Sequence, residues 1–462
     1  MAKLLVCLLL LIAAVSGKHE KYEGHQLYRV IGPAQEFVAL EAELDILTIN
    51  PARNSASRQL EALVRLSPEE KHKWFNYFDQ KNMSYTMMLK DLAALLRQQD
   101  VANAYAKAAA GRDDRSDEYY NIINDDDSII TDDGDGSGDN GSGEEDSESE
   151  EDDDLTMTWD AYYNTEVINN FIDEMGRNHS DKVVVVNAGM STEGRQIKYV
   201  RISTTRFEDL RKPVIIIDSA THAREWVTPP VACYIIQQLV EGADSVLLDQ
   251  IDWIIIPLVN PDGYEYSIEE DRMWRKTRSR NHNGSDECPG VDVNRNFDHY
   301  WGTTASASNP CALTFEGPVP FSEPETRIVR DVVFQNLDRA IMYLALHSHG
   351  NMFLYAWGNN GTLPPNGLSL HHAGIEMAQA IDALALEGAR RYIVGNAAMV
   401  LYFTTGTSRD WTRAVGIPLT YTVELPGYDY GFLVPPSYIK QIITETWAGV
   451  AAGGHYVLSL FN

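Results

Sequence analysis

Three short polar stretches follow closely on apolar runs that read as strands. Val214-Ile215-Ile216-Ile217 leads into Thr221-His222-Ala223-Arg224-Glu225-Trp226, the run Ala340 to Leu346 ends in His347-Ser348-His349, and Leu419 to Val423 ends in Glu424. In open α/β sheets ligands bind beyond the carboxyl ends of the strands, so chemistry is expected at these positions. His222 and Glu225, three apart, point the same way when the turn between them is helical or loop-like, and offer an imidazole and a carboxylate to a metal ion. A third ligand has to come from a distant strand. His347 supplies one and leaves a fourth position for water, as a catalytic zinc requires. His349 competes on equal terms here, because residues two apart in a strand share a face.

The elements that must position these residues read as α/β. From Leu155 onward, apolar strands such as Val183 to Val186, Val214 to Ile217, Trp253 to Ile256 and Ala340 to Leu346 alternate with helical periodicity. Residues 18 to 112 alternate β-like runs (His25 to Ile31) with charged helical stretches (Pro68 to Gln80; Tyr85 to Gln99), a small α+β pattern with no catalytic cluster of its own. Residues 113 to 154 hold 20 Asp+Glu against one basic residue, Arg115, for a net of -19. Such a tract cannot bury enough apolar surface to fold alone and reads as a disordered linker. Within it Asp133-Gly134-Asp135-Gly136-Ser137-Gly138, with Glu144 at the twelfth place, approaches an EF-hand loop. Ser137 breaks the pattern and neither flank has helical apolar periodicity, so that reading is set aside.

Across all 462 residues the formal charge is -29, which repels phosphate backbones and anionic lipid and argues against nucleic acid and membrane surfaces as partners. Lys3, the apolar run Leu4 to Val15, and the small residues Ser16 and Gly17 form the pattern of a secretory signal at residues 1–17, too short to span a bilayer, so an exported, soluble protein is expected. If Cys7 leaves with that segment, Cys233, Cys288 and Cys311 face an oxidising compartment. Cys233 lies in an apolar helix-like run and reads as a buried thiol. Cys288 and Cys311 sit in loop-like sequence, where a disulfide stabilises by about 3 kcal/mol. Sequons stand at Asn82, Asn140, Asn178, Asn283 and Asn360.

Five sequence blocks together carry a resemblance: His222-Ala223-Arg224-Glu225-Trp226, Met273-Trp274-Arg275-Lys276-Thr277-Arg278, Gly290-Val291-Asp292-Val293-Asn294-Arg295-Asn296, Leu346-His347-Ser348 and Tyr421-Thr422-Val423-Glu424-Leu425. In this order the chain resembles the secreted zinc metallocarboxypeptidases of the pancreatic A and B type, from about residue 22 onward apart from the acidic tract. The resemblance implies a mixed central β-sheet flanked by helices on both faces, preceded by a small α+β propeptide. The expected divisions are a signal peptide at 1–17, propeptide at 18–112, linker at 113–154 and catalytic domain at 155–462. It implies one Zn2+ held by His222, Glu225 and His347, the last chosen over His349 because it occupies the Leu-His-Ser slot. Glu424 matches the general acid/base and Arg275 the arginine that polarises the scissile carbonyl. Asn294, Arg295 and Tyr402 match the groups that hold the substrate's terminal carboxylate, Arg224 and Arg272 accessory substrate arginines, and Asp292 the carboxylate that orients the first zinc histidine. The expected partners are peptide C-termini and a trypsin-like protease cutting near Arg112 or Arg115, and the expected state is a monomer.

The residue seven after Tyr402, at the base of the family's pocket for the last side chain, is apolar in A-type enzymes and acidic in B-type ones. Here it is Arg409, a departure resembling carboxypeptidase O. A guanidinium in a partly desolvated pocket favours a terminal Asp or Glu. The opposing expectation is that Arg409 turns away to pair with Asp410. Other matched pocket positions are Ala397, Leu401, Thr404, Thr407 and Thr422, and His349 replaces a tyrosine of the A-type enzymes. Glu424 together with all three ligands argues for an active exopeptidase rather than a secreted binding protein without turnover.

Overall fold

A computed structural model describes residues 18–40, 43–52, 59–110, 156–280, 287–303 and 309–461. The signal segment 1–17, the acidic tract 113–154 with its EF-hand-like run, Arg112, Arg115, and the sequons at Asn140 and Asn283 lie outside the described residues.

Four strands open the chain: β1 (Gln26–Pro33), β2 (Asp45–Pro51), β3 (Gln59–Leu66) and β4 (Ser84–Leu89). They form an antiparallel sheet in the order β2-β3-β1-β4. Helices α1 (Ala34–Leu40), α2 (Lys71–Gln80) and α3 (Leu92–Ala110) accompany it. Alternate strand residues Tyr28, Val30, Ala62 and Val64 close with Phe37, Trp74 and Phe78 into one core. The expected helix over Tyr85 to Gln99 is corrected: its first part is β4. Tyr85 and Thr86 have the side-chain shapes strands favour, Tyr85 stacks on Phe75 at 4.7 Å, and the segment pairs with β1 (Val30 opposite Tyr85).

The rest builds one eight-stranded sheet, in the order β11-β10-β12-β9-β7-β8-β6-β5, from β5 (Val183–Met190), β6 (Gln196–Ile202), β7 (Val214–Asp218), β8 (Asp252–Ile256), β9 (Ala340–Ser348), β10 (Met352–Tyr355), β11 (Ile393–Asn396) and β12 (Leu419–Leu425). The central β8, β7, β9 and β12 run parallel, while β5, β6 and β10 supply the antiparallel pairs. Parallel strands buried on both faces read as unbroken apolar runs, which is why Val214–Ile217 and Trp253–Ile256 show no alternation. Ile215, Ile217, Trp253, Ile255, Leu344 and Leu346 face one side. There they meet α4 (Thr165–Asn178), α5 (Thr228–Glu241), α6 (Ser245–Gln250), and, past the short α7 (Pro261–Glu269), helices further along the chain. Val214, Ile216, Ile254, Ile256, Tyr343 and Ala345 face the other side, against α8 (Pro324–Asn336). After α8 come α9 (Gly367–Asp382), the single turn α10 (Ala397–Val400), α11 (Ser408–Val415) and α12 (Ile439–Ser459). Of these, α9 and α12 pack on the first face, and Trp411 of α11 on the second. This is the expected mixed sheet with helices on both faces. Cys288 and Cys311 are bonded with Cα atoms 4.9 Å apart, and Cys233 is a buried thiol. Among the described residues no helix is long and apolar enough to cross a membrane.

Candidate active site

The parallel strands β7, β9 and β12 deliver their polar ends to one edge of the sheet. Beyond β7 the chain turns sharply: the Ala220 N–H is held by Thr228 Oγ1 at 3.0 Å and the Glu225 N–H by the His222 carbonyl at 3.2 Å. This tight turn puts His222 Nδ1 2.7 Å from Glu225 Oε1. On β9, His347 brings its Nδ1 to 3.1 Å from His222 Nδ1 and 3.0 Å from Glu225 Oε2. The register of β9 on β12 sets His347 directly opposite Glu424. His349 falls beyond the end of β9. Its ring packs edge-on against Phe432 at 5.0 Å, and it takes no part in the cluster.

Whether His222, Glu225 and His347 suit a metal ion follows from the proton on His222. Its Nε2 is 3.0 Å from Asp292 Oδ1, and burial, which pushes the Asp292 carboxyl up, is outweighed by Arg275 and His222, leaving it well below the usual range. An ionised Asp292 only accepts, so His222 carries its ring proton on Nε2 and turns the Nδ1 lone pair inward. The bare His222 Nδ1 then faces Glu225 Oε1 at 2.7 Å, a lone pair against a carboxylate oxygen that a cation between them relieves, and one ligand atom from each of the three residues lies within 4.8 Å of the others. Two imidazoles and a carboxylate fit zinc.

Arg275 lines the same cleft and donates Nε and Nη2 to Asp292 Oδ2 at 3.1 and 2.9 Å. Asn294 donates its N–H to Asp292 Oδ1 at 2.9 Å, and its side-chain nitrogen is 3.3 Å from His347 Nε2. Burial pushes the Glu424 carboxyl up to about 7, with His347 and Arg275 pulling it down and Glu225 adding to the rise. His222, Glu225, Arg275, Asn294, Arg295, Tyr402, Arg409 and Glu424 line one cleft. Arg409 lines the cleft and donates Nε–H to Asp410 Oδ1 at 2.9 Å, so it pairs with Asp410 without turning away from the cleft.

The first module reaches into the same cleft, which no motif in the sequence announced. Leu44 and the β2 residues Ile46, Leu47, Thr48 and Ile49 complete its lining. Asp45 Oδ1 is 3.6 Å from Arg224 Nη1, and the Pro51 carbonyl accepts from Arg390 at 3.0 Å. Tyr402 packs against the first module's core. Arg272, wholly buried, lies outside the lining: its donors meet Gln99 Oε1 at 2.9 Å and the Arg224 and Phe432 carbonyls at 2.8 and 2.7 Å, and its guanidinium sits 3.7 Å over Trp226. Sequence reading missed β2 because a short apolar run carries no sign of what it will cover.

The loop after Glu424 is braced from behind by Glu445, which is 1% exposed and accepts from Gln441 at 2.7 Å and, at 3.3 Å, from Tyr428. Burial pushes its carboxyl up to about 7. A carboxyl raised in the fold contributes stability that is fully present below its unfolded value of about 4.5 and is lost as pH rises through 7. Glu445→Gln is therefore expected to raise the melting temperature more at pH 8 than at pH 5, by a difference worth on the order of 1–3 kcal/mol. Melting curves displaced equally at both pH values would remove this account.

A mixed α/β sheet that gathers two histidines, two glutamates and an arginine at its carboxyl edge, under a small α+β cover, is the arrangement of a metal-dependent hydrolase. The profile described as zinc carboxypeptidase matches residues 168–449. The chain is 46% identical over 312 residues to carboxypeptidase B of Helicoverpa zea, covering 66% of this chain and 73% of that one. It is 33% identical over 301 residues to carboxypeptidase O of Bos taurus, covering 64% and 78%. Its fold is similar to the crystal structure of carboxypeptidase A from Helicoverpa armigera, with TM-score 0.79, 34% identity, and 95% and 98% of the two chains covered. The chain belongs to the zinc carboxypeptidase family. It is a zinc-dependent carboxypeptidase acting on peptide C-termini. The relatives' names divide among A, B and O, so the preferred terminal residue has to be argued from this chain's own pocket.

Proposed function

We propose that the chain is the secreted zymogen of a carboxypeptidase that prefers Glu or Asp at the substrate C-terminus, with residues 18 to about 112 as the covering propeptide and the catalytic domain beginning near 155. The acidic preference is carried by the buried Arg409 in the lining of the cleft that holds Glu424 and the metal ligands, and the covering role of the first module by its Leu44 and Ile46 to Ile49 in that same lining. Bound by His222, Glu225 and His347, zinc supplies a Lewis acid that lowers the pKa of a water towards about 7. Glu424 takes the proton from the attacking water and passes it to the departing amine. Arg275 offers positive charge where the oxyanion develops. Asn294, Arg295 and Tyr402 hold the terminal carboxylate, which limits cleavage to chain ends because an interior peptide has no such group. Asp292 fixes both the ring of His222 and the guanidinium of Arg275. Arg224 and Arg272 act on the substrate only after Asp45 and Gln99 of the first module have left them.

The test compares intact and trypsin-treated protein on peptides ending in Glu, Phe and Lys, with and without a chelator. Cutting near Arg112 or Arg115 is expected to raise activity strongly, Glu to be the best terminus, and chelation to abolish turnover until zinc is restored. Intact protein as fast as cut protein removes the zymogen reading. Because Asp410 already neutralises one side of Arg409, a Phe-preferring enzyme is the outcome that removes the acidic reading.

A further inference from the structure

Arg409 is 3% exposed and gripped on several sides. Its Nε–H donates to Asp410 Oδ1 at 2.9 Å, Nη1 donates to Thr422 Oγ1, and Nη2 to Thr404 Oγ1 and Thr407 Oγ1, each of the last three at 3.3 Å. The charged acceptor therefore holds the guanidinium from the side, while the Nη pair is left with neutral hydroxyls at the long end of hydrogen-bond range. Those three threonines line the cleft together with Arg409. An incoming side-chain carboxylate would replace weak neutral acceptors with a charged one.

The space for this fork comes from Gly358. Its N–H donates to the other oxygen of Asp410, Oδ2, at 2.8 Å, so one backbone group anchors the carboxylate that aims the arginine. A Cβ at Gly358 would lie 2.5 Å from Arg409 Nη2, 2.4 Å from Thr404 Oγ1 and 2.9 Å from Asp410 Oδ2. Of the three only Arg409 Nη2 is the end of a long flexible side chain, while Thr404 and the doubly held Asp410 are short, so the Arg409 fork is the group a side chain here displaces most easily. Gly358 itself is not among the cleft-lining residues. The geometry points to Gly358 as a positioning residue for terminal-residue specificity. It holds Asp410 and leaves the room in which the Arg409 fork faces the substrate, and a single methyl group there reduces discrimination for a terminal carboxylate side chain. This rests on the acidic reading of the pocket given above.

The experiment is a cycle of four activated enzymes, wild type, G358A, R409A and G358A/R409A, each assayed on otherwise identical peptides ending in Glu and in Gln. These termini differ in charge and hardly in shape, so the ratio of their kcat/KM values reads the arginine and cancels general damage to catalysis. In wild type the ratio is expected to favour Glu. G358A is expected to lower it about 10-fold or more, through KM rather than kcat, and to leave it unchanged in the R409A background, since no fork remains to displace. A wild-type ratio near one removes the acidic reading itself. A wild-type preference for Glu that survives G358A, or one that G358A changes equally with and without Arg409, overturns the role of Gly358 alone. Should G358A fail to accumulate, recovery of folded protein in G358A/R409A supports the clash with Arg409, and failure of both overturns it.

Discussion

Glu424→Gln in the activated enzyme is expected to lower kcat by about 10³-fold while leaving zinc content and peptide binding close to wild type. The substitution keeps the shape of the side chain and removes only its capacity to carry a proton, and general acid–base groups typically contribute about 10²- to 10⁴-fold. Glu424 stands on β12 opposite His347 and outside the ligand group, so the metal should remain. The measurement is single-turnover hydrolysis beside metal analysis of the same sample. If the variant keeps more than a tenth of the wild-type rate with full zinc, another group moves the proton, and the assignment of Glu424 is wrong.

Asp292→Ala should be the most damaging change that touches neither substrate nor metal. The residue is wholly buried and joins His222, Arg275 and the Asn294 N–H. Its loss leaves the Arg275 guanidinium without its partner, and breaking a buried pair by removing one member costs about 3–5 kcal/mol. It also frees the ring of His222 to change tautomer and orientation, which commonly weakens metal affinity or activity by about 10- to 100-fold. Both losses are expected together, read by denaturant unfolding of the metal-free protein and by zinc titration. Asp292→Asn, which keeps one acceptor oxygen, is expected to fall between. Wild-type unfolding with wild-type zinc affinity in the alanine variant would show that Asp292 organises nothing.

Much of this centre was legible because catalytic groups near strand ends carry a local signature: an apolar run followed within a few residues by His, Glu or both. That signature located His222, Glu225, His347 and Glu424. It left His347 and His349 tied, because the two-residue period holds only inside a strand, and β9 ends between them at Ser348. The pairing of Arg409 with Asp410 could be foreseen as one of two outcomes. Their coexistence could not, because it depends on the threonine hydroxyls and on Gly358, which is remote in sequence. In the first module, β4 carries no strand signature in the sequence, because its residues serve one edge of a four-stranded sheet and leave no clear alternation. The burial of Arg272 against Gln99 was out of reach, since nothing near either residue marks a contact across 173 positions.

That contact has a kinetic consequence. Gln99 on Arg272, Asp45 beside Arg224, the Pro51 carbonyl on Arg390 and Asn103 on the backbone of Tyr162 are noncovalent, and none depends on an intact chain between residues 111 and 155. If residues 18 to about 112 are the covering propeptide proposed above, a cut in that stretch would turn a tethered lid into a separate molecule at the same concentration as the enzyme, and its departure would become an ordinary dissociation governed by dilution. Onset of hydrolysis would then lag behind scission in concentrated protein and catch up on dilution.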